Sequence, residues 1–261
     1  MPLTAEELNE LAAFAGALAD AAEKAILPYF RKPIGIADKG GAIFDPVTEA
    51  DSSAERAMRQ LIGDHYPSHS ILGEEEEAIR GESDITWVLD PIDGTRAFIS
   101  GLPLWGTLIA VNDGERPVFG MMHQPFTGER FTGTAAGSYC NDVKLATRQC
   151  QDVATASLMC TTPEMFQAPA DLAAFQRVAQ KTQMVRYGGD CYAYCMLASG
   201  FVDVVIEASL KPYDVQALIP IIEGAGGIIT TWDGDDAQNG GAIVACGDPR
   251  LHPGIIKLLR G

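Results

Sequence analysis

Trp87-Val88-Leu89-Asp90-Pro91-Ile92-Asp93-Gly94-Thr95 is the stretch that decides how this chain reads. An apolar run with strand character leads into two carboxylates separated by two residues, then a glycine and a threonine. The pattern sets both acids at the mouth of a sheet, on a turn too tight to let them move apart. Acids held that close repel each other unless one is protonated or a cation sits between them. A hard, oxygen-seeking divalent cation is the natural occupant. The segment therefore reads as part of a metal-dependent enzyme.

Outward from it, the N-terminal side is helical. Thr4 with Glu7 has the form of a capping box, and Leu8, Leu11, Ala15, Leu18, Ala22 and Ile26 recur at helical spacing. That predicts an amphipathic helix over 5–27, closed by Pro28 and Pro33. Thr48 with Asp51 predicts a second capped helix ending at Pro67. Ser70-Ile71-Leu72 reads as a short strand before Gly73 and the acidic run Glu74 to Glu77, and Thr86 to Leu89 as the next strand. Leu104 to Val111 and Val118 to His123, joined through Asn112-Asp113-Gly114-Glu115, read as a hairpin, with Phe131 to Thr134 a further strand. The second half alternates: strand 154–158, helix 163–181, strand 183–187, helix 190–199, strand 202–206, helix 214–225, strand 227–231. That is α/β layering, with a boundary near 140–150.

Bulk properties narrow the function. The 261 residues, 47% hydrophobic and 21% charged, suffice for a sizeable core and argue against disorder. A net charge of -16 disfavours nucleic acid and anionic membrane surfaces as partners. The six cysteines form no Cys-x-x-Cys pair, so buried free thiols are expected rather than disulfides or a zinc site. The start, Met1 to Glu7, is acidic without a signal-type basic region, and no apolar run reaches about 18 residues. A soluble cytoplasmic protein is the expectation.

Acids stand at element ends in four places: Asp51, Glu74-Glu75, Asp90/Asp93 and Asp214. Three have a plain structural account as well: Asp51 as a capping-box residue, the glutamate run as a solvated face, Asp214 as an N-cap. Asp90 and Asp93 resist it, because Asp90 directly ends an apolar strand. Phosphate monoester hydrolysis is among the slowest uncatalysed reactions, with enhancements up to ~10²¹. A general acid or base contributes only about 10²–10⁴, and the four histidines offer no nucleophile pairing. Clustered metal ions can ready a water and stabilise the leaving oxygen together. Carboxylates without a basic clamp thus suit a two- or three-metal phosphatase.

With these residues in view, the chain resembles the inositol monophosphatase superfamily of Mg²⁺-dependent phosphomonoesterases. The likeness rests on Asp45-Pro46-Val47-Thr48-Glu49-Ala50-Asp51, Gly73-Glu74-Glu75, Trp87 to Thr95, and Tyr213-Asp214 leading to Glu223-Gly224-Ala225-Gly226-Gly227, in the family's order. It implies a layered αβαβα sandwich: an α+β half over 1–145 and an α/β half over 146–261, acting as one catalytic unit. It implies two or three Mg²⁺ ions. Glu74, Asp90 and the Ile92 carbonyl would hold the first; Asp90, Asp93 and Asp214 the second; Glu74 would touch a third through water. Glu75 would orient water at the ions, Thr95 and Asp51 would align or deprotonate the attacking water, and the Gly94 and Thr95 N–H groups would receive phosphate oxygens. Lys39, on a Gly-rich loop, is a candidate for a lysine that screens the site. A small phosphate monoester would be the partner, and a homodimer the assembly.

Two positions depart from the general pattern: Tyr213 stands where a tryptophan is usual, and Asp190 follows Gly188-Gly189 where a sugar phosphatase carries a small residue. The run Gly188-Gly189-Asp190-Cys191-Tyr192 and the later Leu210-Lys211-Pro212-Tyr213-Asp214 resemble the histidinol-phosphatase branch. That implies L-histidinol phosphate as substrate, with Asp93, Gly189, Asp190 and Glu207 as its binding residues, since added acids suit a cationic ligand. Asp190 can also be read as a helix N-cap. An inositol-phosphate or sugar-phosphate phosphatase is the alternative. A 3′-phosphoadenosine 5′-phosphate phosphatase would need an adenine pocket, and a scaffold that has lost catalysis would most simply lack one of these acids or Thr95.

Overall fold

The structure is a computed structural model that describes residues 3–40 and 44–261. Met1-Pro2 at the acidic start, and residues 41–43 of the Gly-rich stretch that follows Lys39, lie outside the described residues. Helix α1 (Ala5–Ile26) begins on the expected box: the Glu7 N–H donates to Thr4 Oγ1 at 3.3 Å and the Thr4 N–H to the Glu7 carboxylate at 2.8 Å. Strands β1 (Ile36–Asp38) and β2 (Pro46–Thr48) pair antiparallel and lead into α2 (Glu49–His65). The next elements are β3 (Ser70–Gly73), β4 (Thr86–Asp93), α3 (Thr95–Ile99), β5 (Gly106–Asn112), β6 (Pro117–Gln124), β7 (Glu129–Thr134), β8 (Gly137–Cys140) and β9 (Val143–Lys144). Strands β3 to β9 form one seven-stranded sheet in sequence order, antiparallel except for the β3–β4 pair.

The rest of the chain is β10 (Ser157–Cys160), α4 (Pro169–Ala179), β11 (Met184–Tyr187), α5 (Asp190–Ala198), β12 (Val204–Leu210), α6 (Pro212–Val215), α7 (Leu218–Gly224), β13 (Ile228–Thr231), β14 (Gly241–Cys246) and α8 (His252–Arg260). Its five strands make a second sheet in the order β11-β10-β12-β14-β13. Side-chain alternation along the strands explains the layering. Leu89, Ile109 and Val111 face α1 and α2, burying Leu18, Ala22, Met58 and Ile62. Val88, Leu108 and Met122 face the other way, onto Tyr194 and Leu197 of α5 and Ile221 and Ile222 of α7, which also cover Val205 and Ala245 of the second sheet. Val204, Ile206 and Val244 face outward onto Phe175 and Val178 of α4 and Ile255 and Leu259 of α8. Both sheets are buried on both faces, so their strands read as continuous apolar runs. This is the expected αβαβα sandwich. All six cysteines are free thiols and five are buried.

Several boundaries differ from expectation. The strand expected at 154–158 begins only at Ser157, because Asp152 caps a 3-10 turn over Val153–Thr155. The helix expected over 163–181 divides into a 3-10 turn at Pro163–Met165 and α4, each opened by a proline that cannot continue a preceding helix. Pro220 likewise forbids one helix over 214–225: it lacks the N–H that would bond four residues back, and sits instead in the first turn of α7, where no such bond is needed. Strand β14 and helix α8 have no counterpart in the sequence reading. Most important for the site, β4 does not end at Leu89 but runs on to Asp93.

Candidate active site

The tight turn expected after Leu89 is a bulge within β4. Asp90 pairs with Leu108 and Asp93 with Gly106, so three steps along β4 answer two along β5. The Thr107 hydroxyl donates to the Pro91 carbonyl at 2.8 Å and the Ile92 N–H to Asp90 Oδ1 at 3.0 Å, which fixes the slipped register. In a regular strand residues three apart point to opposite faces. The bulge restores parity, so both carboxylates enter one cleft. Asp214 arrives from α6, where Lys211 is the N-cap and Asp214, three residues on, accepts its N–H through Oδ2 at 2.7 Å. Asp214 is thus a third-position capping partner and not the N-cap expected, and its other oxygen remains for the cleft. Oxygens of Asp90, Asp93 and Asp214 all lie within 4.8 Å of one another.

Two unit charges at that spacing repel on the order of 3–4 kcal/mol even at an effective dielectric of about 20. Three ionised carboxylates together cost about as much as the whole stability of a typical domain. Burial, then the charges of Glu74, Asp93 and Asp214, therefore pushes the Asp90 carboxyl well above the ordinary range. Burial does the same to Asp93, with Asp190 the next cause, and to Asp214, with Asp93 the next. The donor set is all oxygen, tightly grouped and acidic, which fits a hard divalent cation.

Glu74 lines the same cleft. Its Oε1 stands 2.9 Å from Lys39 Nζ, which also reaches Glu75 Oε1 at 2.7 Å. Burial alone would depress the Lys39 ammonium; the two carboxylates outweigh it and hold the lysine above its ordinary value. Burial lifts the Glu75 carboxyl to about 7 against the pull of Lys39. Asp51 is fully buried and does the capping job read for it. Its Oδ2 accepts the N–H and hydroxyl of Thr48 at 2.8 and 2.6 Å, completing the α2 capping box, while Oδ1 faces Thr95 Oγ1 at 3.4 Å. Thr95 Oγ1 is also 3.1 Å from the Ile92 carbonyl. Burial raises the Asp51 pKa.

A second acidic group enters from the five-stranded sheet. Glu207 of β12 is 3% exposed, and its carboxylate accepts the Thr161 N–H at 2.9 Å and the Tyr194 hydroxyl at 3.1 Å. Asp190 opens α5 at φ 44°, with no side-chain cap bond at that helix start, so it is not an N-cap. Its own N–H donates to Thr161 Oγ1 at 3.0 Å, and the next N–H, of Cys191, donates to Asp93 Oδ2 at 2.6 Å. Burial, then the Glu207 charge, lifts Asp190 to about 7, and burial raises Glu207. Gly94, at φ 90°, permits this approach: a Cβ there would lie 3.0 Å from the Leu104 carbonyl oxygen and 3.1 Å from Asp190 Cβ.

Glu74, Asp90, Ile92, Asp93, Gly94, Thr95, Asp190, Glu207 and Asp214 thus line one cleft of about 400 Å³. Asp51 and Glu75 stand behind its wall: Asp51 touches the lining Thr95, and Glu75 is linked through Lys39 to the lining Glu74. Gly189 does not line it; a Cβ there would meet Ala193 Cβ and Met159 Cε at 2.7 Å, so this glycine serves packing. The cleft also takes Arg96, Thr161, Met165, Gln167 and Ser209, which the sequence reading passed over. Arg96 adjoins Thr95 and was within reach of the motif. Met165 and Gln167 were hidden in the stretch read as unbroken helix.

A sequence model described as the inositol monophosphatase family matches residues 7–261. A bifunctional phosphatase, IMPL2, chloroplastic, of Arabidopsis thaliana is 44% identical over 98% of this chain and 77% of its own length. A histidinol-phosphatase of Chlorobaculum parvum is 32% identical over 80% of this chain and 81% of its own. The solved structure of an inositol monophosphatase from Zymomonas mobilis superposes with a TM-score of 0.88 at 37% identity, covering 99% of this chain and all of that one. The chain belongs to the inositol monophosphatase family, whose members are generally metal-dependent and act on small phosphate monoesters.

Proposed function

We propose that this family member hydrolyses L-histidinol phosphate to L-histidinol and phosphate, in histidine biosynthesis, with two or three Mg²⁺ ions. One observation carries the substrate reading: Asp190 and Glu207 form a second acidic group in the cleft, beside the cluster of Asp90, Asp93 and Asp214. A neutral polyol ester offers those two carboxylates hydroxyl donors but no compensating charge. Histidinol phosphate brings an ammonium and an imidazole beside its phosphate. The similarity to the Chlorobaculum parvum histidinol-phosphatase supports the same reading.

Glu74, Asp90 and the Ile92 carbonyl would hold one ion, and Asp90, Asp93 and Asp214 a second, with Asp90 shared and Glu74 reaching a third through water. When bound, the ions supply Lewis acidity that readies water and steadies the leaving oxygen. The chain's own groups do the rest. Thr95 and Asp51 form a pair that aligns the attacking water and takes its proton; burial has already raised the proton affinity of Asp51. Glu75, held by Lys39 behind Glu74, orients water. Gly94 and Thr95 open the short α3, where N–H groups lack partners within the helix and can receive phosphate oxygens. Water adds to phosphorus, the ester P–O bond breaks, and the proton ends on the departing alkoxide.

The second reading is an inositol or sugar monophosphatase with the same ions, favoured by the likeness to the Zymomonas mobilis enzyme. Phosphate release from histidinol phosphate and myo-inositol 1-phosphate decides between them: a higher kcat/KM for histidinol phosphate is expected, and a clear preference for the inositol ester rejects the proposal. Six free thiols suit a reducing compartment such as the cytoplasm. Among the described residues no helix is long and apolar enough to cross a membrane. A homodimer is the expected assembly, which sedimentation would test.

A further inference from the structure

Outside the cleft, a buried ion pair on α2 grips the loop that carries Glu74 and Glu75. Glu55 and Arg59, one helical turn apart, are 0% and 7% exposed. Glu55 Oε1 accepts from Arg59 Nε at 2.8 Å. The other hydrogen bonds of both side chains go to a single run of three residues. Glu55 Oε2 accepts the Glu75 N–H at 2.8 Å and Oε1 the Glu76 N–H at 3.0 Å. The Arg59 guanidinium donates to the Glu76 carbonyl at 2.8 Å and the Glu77 carbonyl at 3.0 Å. Strand β3 ends just before, at Gly73, where a Cβ would lie 2.1 Å from Glu55 Oε1 and 2.7 Å from Arg59 Nη2. Only a glycine at 73 admits the pair beneath the strand end.

Stability alone is a poor reason for this arrangement. Each buried ion loses several kcal/mol of hydration, and apolar residues of similar volume often serve equally well. Ala50, Ala54, Met58 and Ile62 already anchor α2 in the core. Charged groups do supply short, directional bonds, which suits fixing a backbone. The consequence is visible along the run: Glu74 and Glu75 are half-buried toward Lys39 and the cleft, while Glu76 and Glu77 are exposed. Four consecutive glutamates have no intrinsic preference for which two face inward.

We propose that Glu55 and Arg59 are positioning residues for the cation site: their grip on the backbone of residues 75–77 presets the direction of the Glu74 and Glu75 carboxylates. The inference rests on the reading of Glu74 as a cation ligand. Its test is calorimetric Mg²⁺ binding to the full chain without substrate, with Tm in EDTA alongside, for Glu55→Gln, the double variant Glu55→Leu/Arg59→Met, and Glu74→Gln. Both grip variants are expected to bind Mg²⁺ about 10–100-fold more weakly, as for loss of a group that orients a ligand. Raised Mg²⁺ should restore their kcat, and the double variant should keep the wild-type Tm in EDTA. Wild-type Mg²⁺ affinity in either folded grip variant overturns the proposal, as does a loss of affinity that merely follows a fall in Tm. Glu55→Gln keeps the side-chain shape and one accepting oxygen, so a folded variant remains for the measurement if the double variant does not fold. Wild-type affinity in Glu74→Gln sinks the cation reading itself, which separates the two failures.

Discussion

Strands β4 and β12 reach the same cleft from different sheets, and each slips register where it arrives. Asp90 to Asp93 spans three steps against two on β5; Glu207 to Leu210 spans three against two on β14. The two bulges deliver acids in different states. At the β4 end, three carboxylates crowd within 4.8 Å with little to neutralise them except protons or a cation. At the β12 end, Glu207 is held by two neutral donors, Thr161 N–H and Tyr194 hydroxyl, and faces Asp190. The first arrangement suits a bound ion and the second a cationic part of a substrate. One slip of register thus serves two chemistries, depending on what surrounds it.

The largest expected effect separates the two ends directly. Asp93→Asn should lower kcat/KM for every phosphate ester by more than about 100-fold. In EDTA the same variant should match or exceed the wild-type Tm, since a repulsive charge has gone. Near-wild-type turnover would show that the β4 cluster is not a cation site. At the β12 end, Glu207→Gln should cost histidinol phosphate about 2 kcal/mol, roughly 30-fold in kcat/KM. Myo-inositol 1-phosphate should change by less than about 3-fold. Equal losses on both esters would make the two ends one functional unit and remove the case for a cationic substrate.

Stability against pH sharpens the same contrast. Asp90, Asp93 and Asp214 hold their protons in the folded chain well above the ordinary carboxylate range. Above about pH 4 the unfolded chain has released those protons and the folded chain has not, so stability is highest at low pH and falls as pH rises. In EDTA, Tm should therefore decline between pH 5 and pH 8. Saturating Mg²⁺ should flatten most of that decline by taking the protons' place. A smaller fall between about pH 4 and pH 7 should persist in Mg²⁺, because burial lifts both Asp190 and Glu75 to about 7, and Asp190→Asn should reduce it. A Tm in EDTA independent of pH would contradict both assignments.

The β4 end was far more legible in the sequence than the β12 end. Two of its acids, Asp90 and Asp93, lie within four residues of one another, next to an apolar strand, so a local pattern sufficed for them. What the pattern could not reveal is the parity change: the strand continues through Pro91-Ile92, and only pairing with β5 exposes the slip. Asp51 was legible because its capping role is local. Glu207 stood out only as one acid directly after Val204-Val205-Ile206. Its partners, Thr161 and Tyr194, are 46 and 13 residues away and carry no motif. The prolines that divide the helices near 163–181 and 214–225 were visible, and weighing them against helical periodicity would have corrected both boundaries. The αβαβα layering itself followed from the resemblance and from strands apolar on both faces.

The smallest effect concerns the backbone at each bulge. At the β4 end the left-handed position is Gly94, which also has no room for a Cβ. At the β12 end it is Ser209, at φ 67°, a conformation that costs an L-residue about 1–2 kcal/mol. Exchanging the residue types should move stability in opposite directions. Gly94→Ala introduces the φ penalty and presses on Leu104 and Asp190, so a loss of about 1–2 kcal/mol is expected. Ser209→Gly relieves the penalty, but a glycine also widens the unfolded ensemble, so the net gain should be nearer 0.5 kcal/mol. For a chain of this length that is a rise in Tm of about 1–2 °C. A fall instead would mean that the Ser209 side chain makes a contact at the cleft worth more than its strain, and the β12 bulge would then be held by its side chain as firmly as the β4 bulge is held by its glycine.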